Sequence, residues 1–116
     1  MAIVLEVKNL NEPSDIQTIE IDRRIVMGSS LYCDIVLRDK LISTLQCEVL
    51  PHKSGHIIVK NLDLKKEVFI NSLRLKRSPF TLLDRLRIAT YEIKIIEFHL
   101  TDQEREILNS DFEEFV

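Results

Sequence analysis

The feature that most limits what this chain can fold into is a hydrophobic period of two, repeated in short runs. Ile3, Leu5 and Val7 alternate with Val4, Glu6 and Lys8; Ile19 and Ile21 alternate with Glu20 and Asp22; Ile93 and Ile95 alternate with Lys94 and Ile96. Such alternation places one face of an extended segment inward and the other in water. Branched runs at Ile25–Met27, Asp34–Leu37, Gln46–Leu50, His56–Lys60, Val68–Ile70, Arg85–Ala89 and Tyr91–Phe98 continue the pattern. Turn-forming stretches separate them: Asn9–Asp15 with Pro13, Gly28–Ser30, Pro51–Gly55 and Asn71–Ser72. Ten to eleven short strands at this spacing predict an all-β sandwich over residues 1–100 rather than alternating β and α units.

The chain ends differently. Thr101-Asp102-Gln103-Glu104 has the form of a capping box, a hydroxyl at the cap with Glu three residues on. Ile107, Leu108, Phe112 and Phe115 follow at helical spacing. A short C-terminal helix is expected from about residue 102 to 109, with an extension to 114 left open. It either packs on the sandwich or serves as a linker or docking helix. Residues 101–116 carry six acids against the single base Arg105, so this acidic element stands apart from the mildly basic residues 1–100.

Composition narrows the function classes. With 116 residues, one core is expected, and 45% hydrophobic against 30% charged residues describes a soluble globular chain. No apolar stretch is long enough to span a bilayer, and the start lacks a signal-peptide pattern. A net charge of −3 argues against nucleic acid as the main partner. The two cysteines, Cys33 and Cys47, read as small buried residues in a reducing compartment, so cytoplasmic residence is expected. With only two glycines, Gly28 and Gly55, a Gly-rich phosphate loop is excluded. His52 and His56 flank a turn, where polar side chains sit in water, and no Cys pair or carboxylates accompany them as metal ligands. No acid–base or nucleophile constellation stands out, so no enzyme, metal or cofactor is expected. A basic stretch at 60–87, rich in Lys and Arg, is either a solvated sheet face or an anion-binding surface.

One run is more specific. Gly28-Ser29, then Cys33-Asp34-Ile35-Val36-Leu37, then Ile42-Ser43 resembles the opening of a forkhead-associated (FHA) domain, a β-sandwich that reads phosphothreonine on partner proteins. Val59-Lys60-Asn61-Leu62, Phe69-Ile70-Asn71-Ser72 and Leu83-Asp84-Arg85-Leu86-Arg87-Ile88 continue the likeness in order, so that it covers roughly residues 3–98. The resemblance implies an FHA-like sandwich acting as a non-enzymatic protein–protein interaction module, with a protein partner that is phosphorylated or not. It also marks departures. The family's Gly-Arg is Gly28-Ser29; its Ser-Arg-x-His is Ser43-Thr44-Leu45-Gln46; its Ser-x-Asn-Gly-Thr loop is Leu64-Lys65-Lys66-Glu67-Val68. Gly28, Asp34, Leu37 and Asn71 are retained, with roles in turns, packing and loop bracing expected, and Gln46 is expected to hold the loop in place of the histidine.

A phosphothreonine is held by an Arg fork and hydroxyl donors. Removing one charged partner costs about 2–5 kcal/mol, some 1.5–3.5 decades of affinity. The leading reading is therefore a degenerate module whose loops at about 28–32, 38–46 and 61–67 present a different surface, as adaptor or regulatory or assembly domain. Such domains resemble those found in ring components of bacterial secretion systems and in front of signalling enzymes. The alternative is a phosphothreonine reader with an altered pocket built on Ser43, Lys65, Lys66 and Asn71. The partner-facing candidates are Ser29, Ser30, Arg38, Lys40, Ser43, Thr44, Lys65, Lys66 and Asn71. Ser43 reads either as a turn residue bonding its own backbone or as a residual phosphate donor.

Overall fold

The computed structural model describes residues 3–112. Eleven strands form two sheets, followed by one short helix. The six-stranded sheet runs β2 (Ile16–Glu20), β1 (Val4–Asn9), β11 (Tyr91–Ile95), β10 (Leu86–Ile88), β7 (Phe69–Ile70) and β8 (Leu73–Arg74). The five-stranded sheet runs β4 (Ile35–Val36), β3 (Ile25–Gly28), β5 (Cys47–Pro51), β6 (Ile57–Asn61) and β9 (Arg77–Phe80). Only β3 and β4 pair in parallel; the other pairings are antiparallel.

The alternation becomes rows of buried side chains across strands. In the first sheet Val7 faces Ile93, Ile93 faces Leu86 and Leu86 faces Ile70. In the second, Ile25 faces Val49 and Val49 faces Val59. All seven belong to one core. A one-residue slip would turn each row to solvent, so the apolar pattern fixes the register. The opposite face of the first sheet carries Glu6 against Lys94 and Arg87 against Glu92, half-buried except for the exposed Arg87.

Differences from the sequence expectations have local causes. β8 and β9 were not anticipated, because neither alternates. Pro79 sits within β9, which is an edge strand, so its missing N–H interrupts no interior ladder. The final run does not continue as strand to Phe98: β11 stops at Ile95, and a 3-10 turn at Glu97–His99 redirects the chain toward the helix. Asn71 and Ser72 both have positive φ (50° and 71°), the geometry of a two-residue hairpin turn between β7 and β8. No helix among the described residues is long and apolar enough to cross a membrane.

Helix α1 spans Asp102–Asn109. Its capping box is formed: Glu104 N–H donates to Thr101 Oγ1 (3.1 Å), and Thr101 N–H donates to Glu104 Oε1 (2.8 Å). The helix ends at Asn109 with Ser110 as its extended C-cap, so the extension toward 114 is not made at residues 110–112; residues 113–114 and Phe115 lie outside the described residues. The helix lies against the sandwich. Leu108 is 1% exposed and joins the core, and the Ile107 side chain lies against Gly55 in the β5–β6 hairpin. His56 is buried rather than solvated, because that hairpin is covered. Its Nε2 meets Ser110 Oγ (3.0 Å), Ser54 Oγ bridges His52 and His56, and the Phe112 ring packs edge-on to both imidazoles. Leu108→Ala is expected to destabilise the whole domain by about 2–5 kcal/mol in denaturant unfolding; a change near zero would mark the helix as an undocked linker.

Candidate functional site

Three loops meet at one end of the sandwich: 29–34 after β3, 37–46 after β4 and 62–68 after β6. Their approach is close because Gly28 has no side chain. A Cβ there would come within 2.2 Å of the Thr44 carbonyl oxygen. Ser29 N–H donates to Ser43 O (3.0 Å) and Ser30 N–H to Thr44 O (3.2 Å), which zips the first loop to the second. The Cys33 thiol also donates to Thr44 O (3.1 Å), and Leu62 N–H to Gln46 O (2.8 Å) brings in the third loop.

A buried amide pair braces this arrangement. Gln46, 1% exposed, accepts from Ser43 N–H (3.0 Å) and donates to Asn61 Oδ1 (2.9 Å) and to Asp63 O (3.3 Å). Asn61, 5% exposed, accepts from Asp63 N–H (3.1 Å) and donates to Lys66 O (3.0 Å). The expected role of Gln46 in holding the loop is what the geometry shows. Asn61 adds a second anchor that the sequence reading did not single out. Buried amides with their donors paired make a rigid loop base.

The surviving hydroxyl is already in use. Ser43 Oγ–H donates to the carboxylate of Asp63, twenty residues away on the third loop. It bonds Asp63 rather than its own backbone, which corrects the turn-residue expectation for Ser43. The other Asp63 oxygen accepts from Lys65 N–H (3.1 Å). These bonds, the Ser43 hydroxyl foremost and then the Lys65 amide, with Lys66 and Lys65 nearby, hold the Asp63 carboxyl below the usual carboxylate range. An anionic oxygen acceptor therefore sits on Ser43 from within the chain.

The remaining candidates divide. Ser30 Oγ accepts from Tyr32 N–H (3.1 Å), a local turn bond. Ser29 and Thr44 lie at the zipped loop junction. Arg38 is exposed, its backbone N–H fixed by the buried Tyr91 hydroxyl (3.0 Å), and Lys40 is exposed on the same loop. Lys65 is exposed, and Lys66 is half-buried beside Asn61. Asn71 is not brought to this end. It sits at the far end of β7, where its amide donates to Asp84 Oδ1 (2.6 Å) and accepts from Arg85 N–H (2.9 Å). Its role is to join two turns, as its left-handed backbone allows. Asp34 likewise braces: it accepts from Val26 N–H (2.9 Å) and pairs with Arg23 (2.9 Å), and the Val26 bond chiefly lowers its pKa.

Cys47 is buried as expected, whereas Cys33 is only half-buried. Burial pushes Cys47 up to about 12, and desolvation also raises Cys33. No cluster of metal-ligating side chains occurs among the described residues. What the sequence reading missed is Asp63 and the exposed leucines around it. A signal was available for the latter, since large apolar residues stood in loop segments without alternation.

The depressed Asp63 pKa has a defined sign. Its contribution to stability is full above the ordinary carboxylate pKa and is lost as pH falls through its lower folded value. Ser43→Ala is expected to raise the Asp63 titration toward the ordinary carboxylate range, read by the carboxyl-carbon NMR shift against pH. The stability difference between wild type and variant should shrink as pH falls through the folded Asp63 value. An unmoved titration would show that the bond is absent in solution.

With this geometry in hand, known proteins provide a frame. A family model of the FHA domain matches residues 25–89, more than half of the chain. The FHA domain of the CT664 protein from Chlamydia trachomatis has a similar fold, with a TM-score of 0.72 at 18% identity over 84% of this chain and 98% of that one. The FhaA FHA domain, solved in complex with the intracellular domain of Rv3910, gives 0.70 at 14% identity over 82% of this chain and 100% of that one. An engineered FHA domain solved with a Myc-pTBD peptide gives 0.71 at 14% identity over 94% of this chain and 100% of that one. The sequence matches no curated protein. The two sheets, the three zipped loops and the family match over β3 to β10 lead to one assignment: the chain belongs to the FHA domain family.

Proposed function

We propose that this chain is a non-catalytic protein-interaction module that meets its partner through the three loops without holding a phosphothreonine by charge. FHA domains are generally interaction modules rather than enzymes, and phosphopeptide binding is the family's known activity. The observation that carries the departure here is the bond from Ser43 to Asp63. A phosphate approaching Ser43 must displace that carboxylate and face its charge. Like charges about 4 Å apart repel by about 1 kcal/mol in water and several times that near a protein surface, and a phosphate carries nearly two. The position after Gly28 is Ser29, which offers no guanidinium, and Leu64 on the third loop offers no donor.

The reading extends to an adaptor, regulatory or assembly role and to cytoplasmic residence, which two unpaired thiols suit. A secretion-ring or signalling-enzyme setting is consistent with such a module. A second reading, an altered phosphothreonine pocket, draws on Lys65 and Lys66 beside Ser43. Lysines are point charges without the planar fork, so selectivity would fall.

Titration calorimetry with phosphothreonine peptides separates the two. The proposal expects no saturable binding at micromolar concentrations. Micromolar binding that disappears in Ser43→Ala and in the dephosphorylated peptide would establish the second reading. Restoring the missing chemistry gives a gain-of-function arm: Ser29→Arg with Asp63→Ser is expected to improve phosphopeptide affinity at least about tenfold over wild type. No gain in a folded double variant would show that these two positions are not what closes the pocket.

A further inference from the structure

Large hydrophobic side chains exposed singly are ordinary; a group of them at one place is not. Five exposed ones fall on the three loops: Leu31, Tyr32, Leu41, Leu45 and Leu64, with Tyr32 99% in solvent. The bonds from Ser30 and Cys33 to Thr44, and from Leu62 to Gln46, hold these loops as one crown. Beside it a cleft of about 470 Å³ is walled by Leu41, Ile42, Phe69 and Ala89, with Lys66, Arg87 and the acid Glu67 also lining it. Arg87 is fixed there by its Nε–H bond to Ala89 O (2.8 Å).

The charges around the crown are unequal in their commitments. Asp39 accepts from Leu41 N–H (2.8 Å), Asp63 is held by Ser43 and Lys65, Glu67 pairs with Arg74 (3.7 Å) and Asp34 with Arg23. Arg38, Lys40, Lys65 and Lys66 have no ion pair among the described residues. Apolar side chains bordered by cations outside any ion pair, of which Lys65 and Lys66 lie near the Asp63 carboxylate and Arg38 and Lys40 do not, match a ligand that is apolar in the middle and acidic at its flanks.

We infer that the crown docks an unmodified segment of a partner protein in which large apolar side chains are flanked by Asp or Glu. The apolar side chains lie on Tyr32, Leu41 and Leu45 and enter the cleft over Phe69, while the flanking carboxylates meet Lys40, Lys65, Lys66 and Arg87. This deepens the interaction-module reading and rests on it. A lipid surface, the other occupant that is apolar and anionic, is one of the outcomes of the test.

The test uses the full chain and four immobilised peptide pools. Two are centred on Leu, flanked by Asp and Glu or by Lys; one is centred on Ser with acidic flanks; one is centred on phosphothreonine. The Leu-centred acidic pool is expected to bind most strongly. Tyr32→Ser with Leu45→Ser should weaken it at least about tenfold, and Lys66→Glu should weaken it while raising binding to the Lys-flanked pool. Leu83→Ser, which removes an equally exposed side chain outside the crown, should change nothing. All these side chains except Lys66 are exposed, and matching melting temperatures confirm that each variant folds. Equal binding of Leu- and Ser-centred pools overturns the inference while leaving the closed-pocket reading intact. Strongest binding to the phosphothreonine pool, lost in Ser43→Ala, overturns both. Crown-dependent binding to phosphatidylserine–phosphatidylcholine vesicles in place of the peptides, or crown-dependent self-association in sedimentation, assigns the surface to another occupant and also overturns it.

Discussion

The candidate site turns on one proton: the Ser43 hydroxyl hydrogen, given to Asp63. A hydroxyl has a single hydrogen to donate, so its acceptor decides what else can bind there. Gln46 and Asn61 make the bond possible by fixing the two loops that carry the pair. Gly28 makes the loops' approach possible, since any side chain would strike the Thr44 carbonyl. The fold therefore delivers a hydroxyl to the loop end of the sandwich and bonds it to the chain's own carboxylate, which in the proposed function is what bars a phosphate.

The proposed function separates frame from site. Residues that serve the frame keep family identities and frame duties: Asp34 pins the start of β3, and Asn71 ties the β7–β8 turn to the turn before β10. In the proposed function, the residues that would touch a ligand differ in chemistry from the family pattern: Ser29 and Thr44 stand where it has guanidinium, Leu64 where it has a hydroxyl and Lys66 where it has an amide. On that proposal the lost interactions are local and charged, while the core rows are distributed and apolar. A sandwich can therefore lose its ligand chemistry without losing its fold.

Much of the sandwich was legible because burial imposes a period on the sequence. Val7, Ile93, Leu86 and Ile70 announce their row by alternation, and Thr101 with Glu104 announces the helix start. β8 and β9 were not legible, because two exposed residues and a proline-bearing edge carry no period. His56 looked solvated because its cover, Ser110 and Phe112, lies more than fifty residues away. Ser43 was legible as a candidate but its partner was not: nothing in Leu62-Asp63-Leu64 marks a carboxylate that will cross to another loop. Side-chain pairings across loops leave no local pattern, whereas rows across strands do.

The most direct test of the occupied hydroxyl is a high-resolution crystal structure of the domain grown with a phosphothreonine peptide in excess. The account predicts Ser43 Oγ bonded to Asp63 and no phosphate density at that end of the sandwich. A phosphate oxygen on Ser43 Oγ, with Asp63 swung away and a basic side chain in its place, would contradict it.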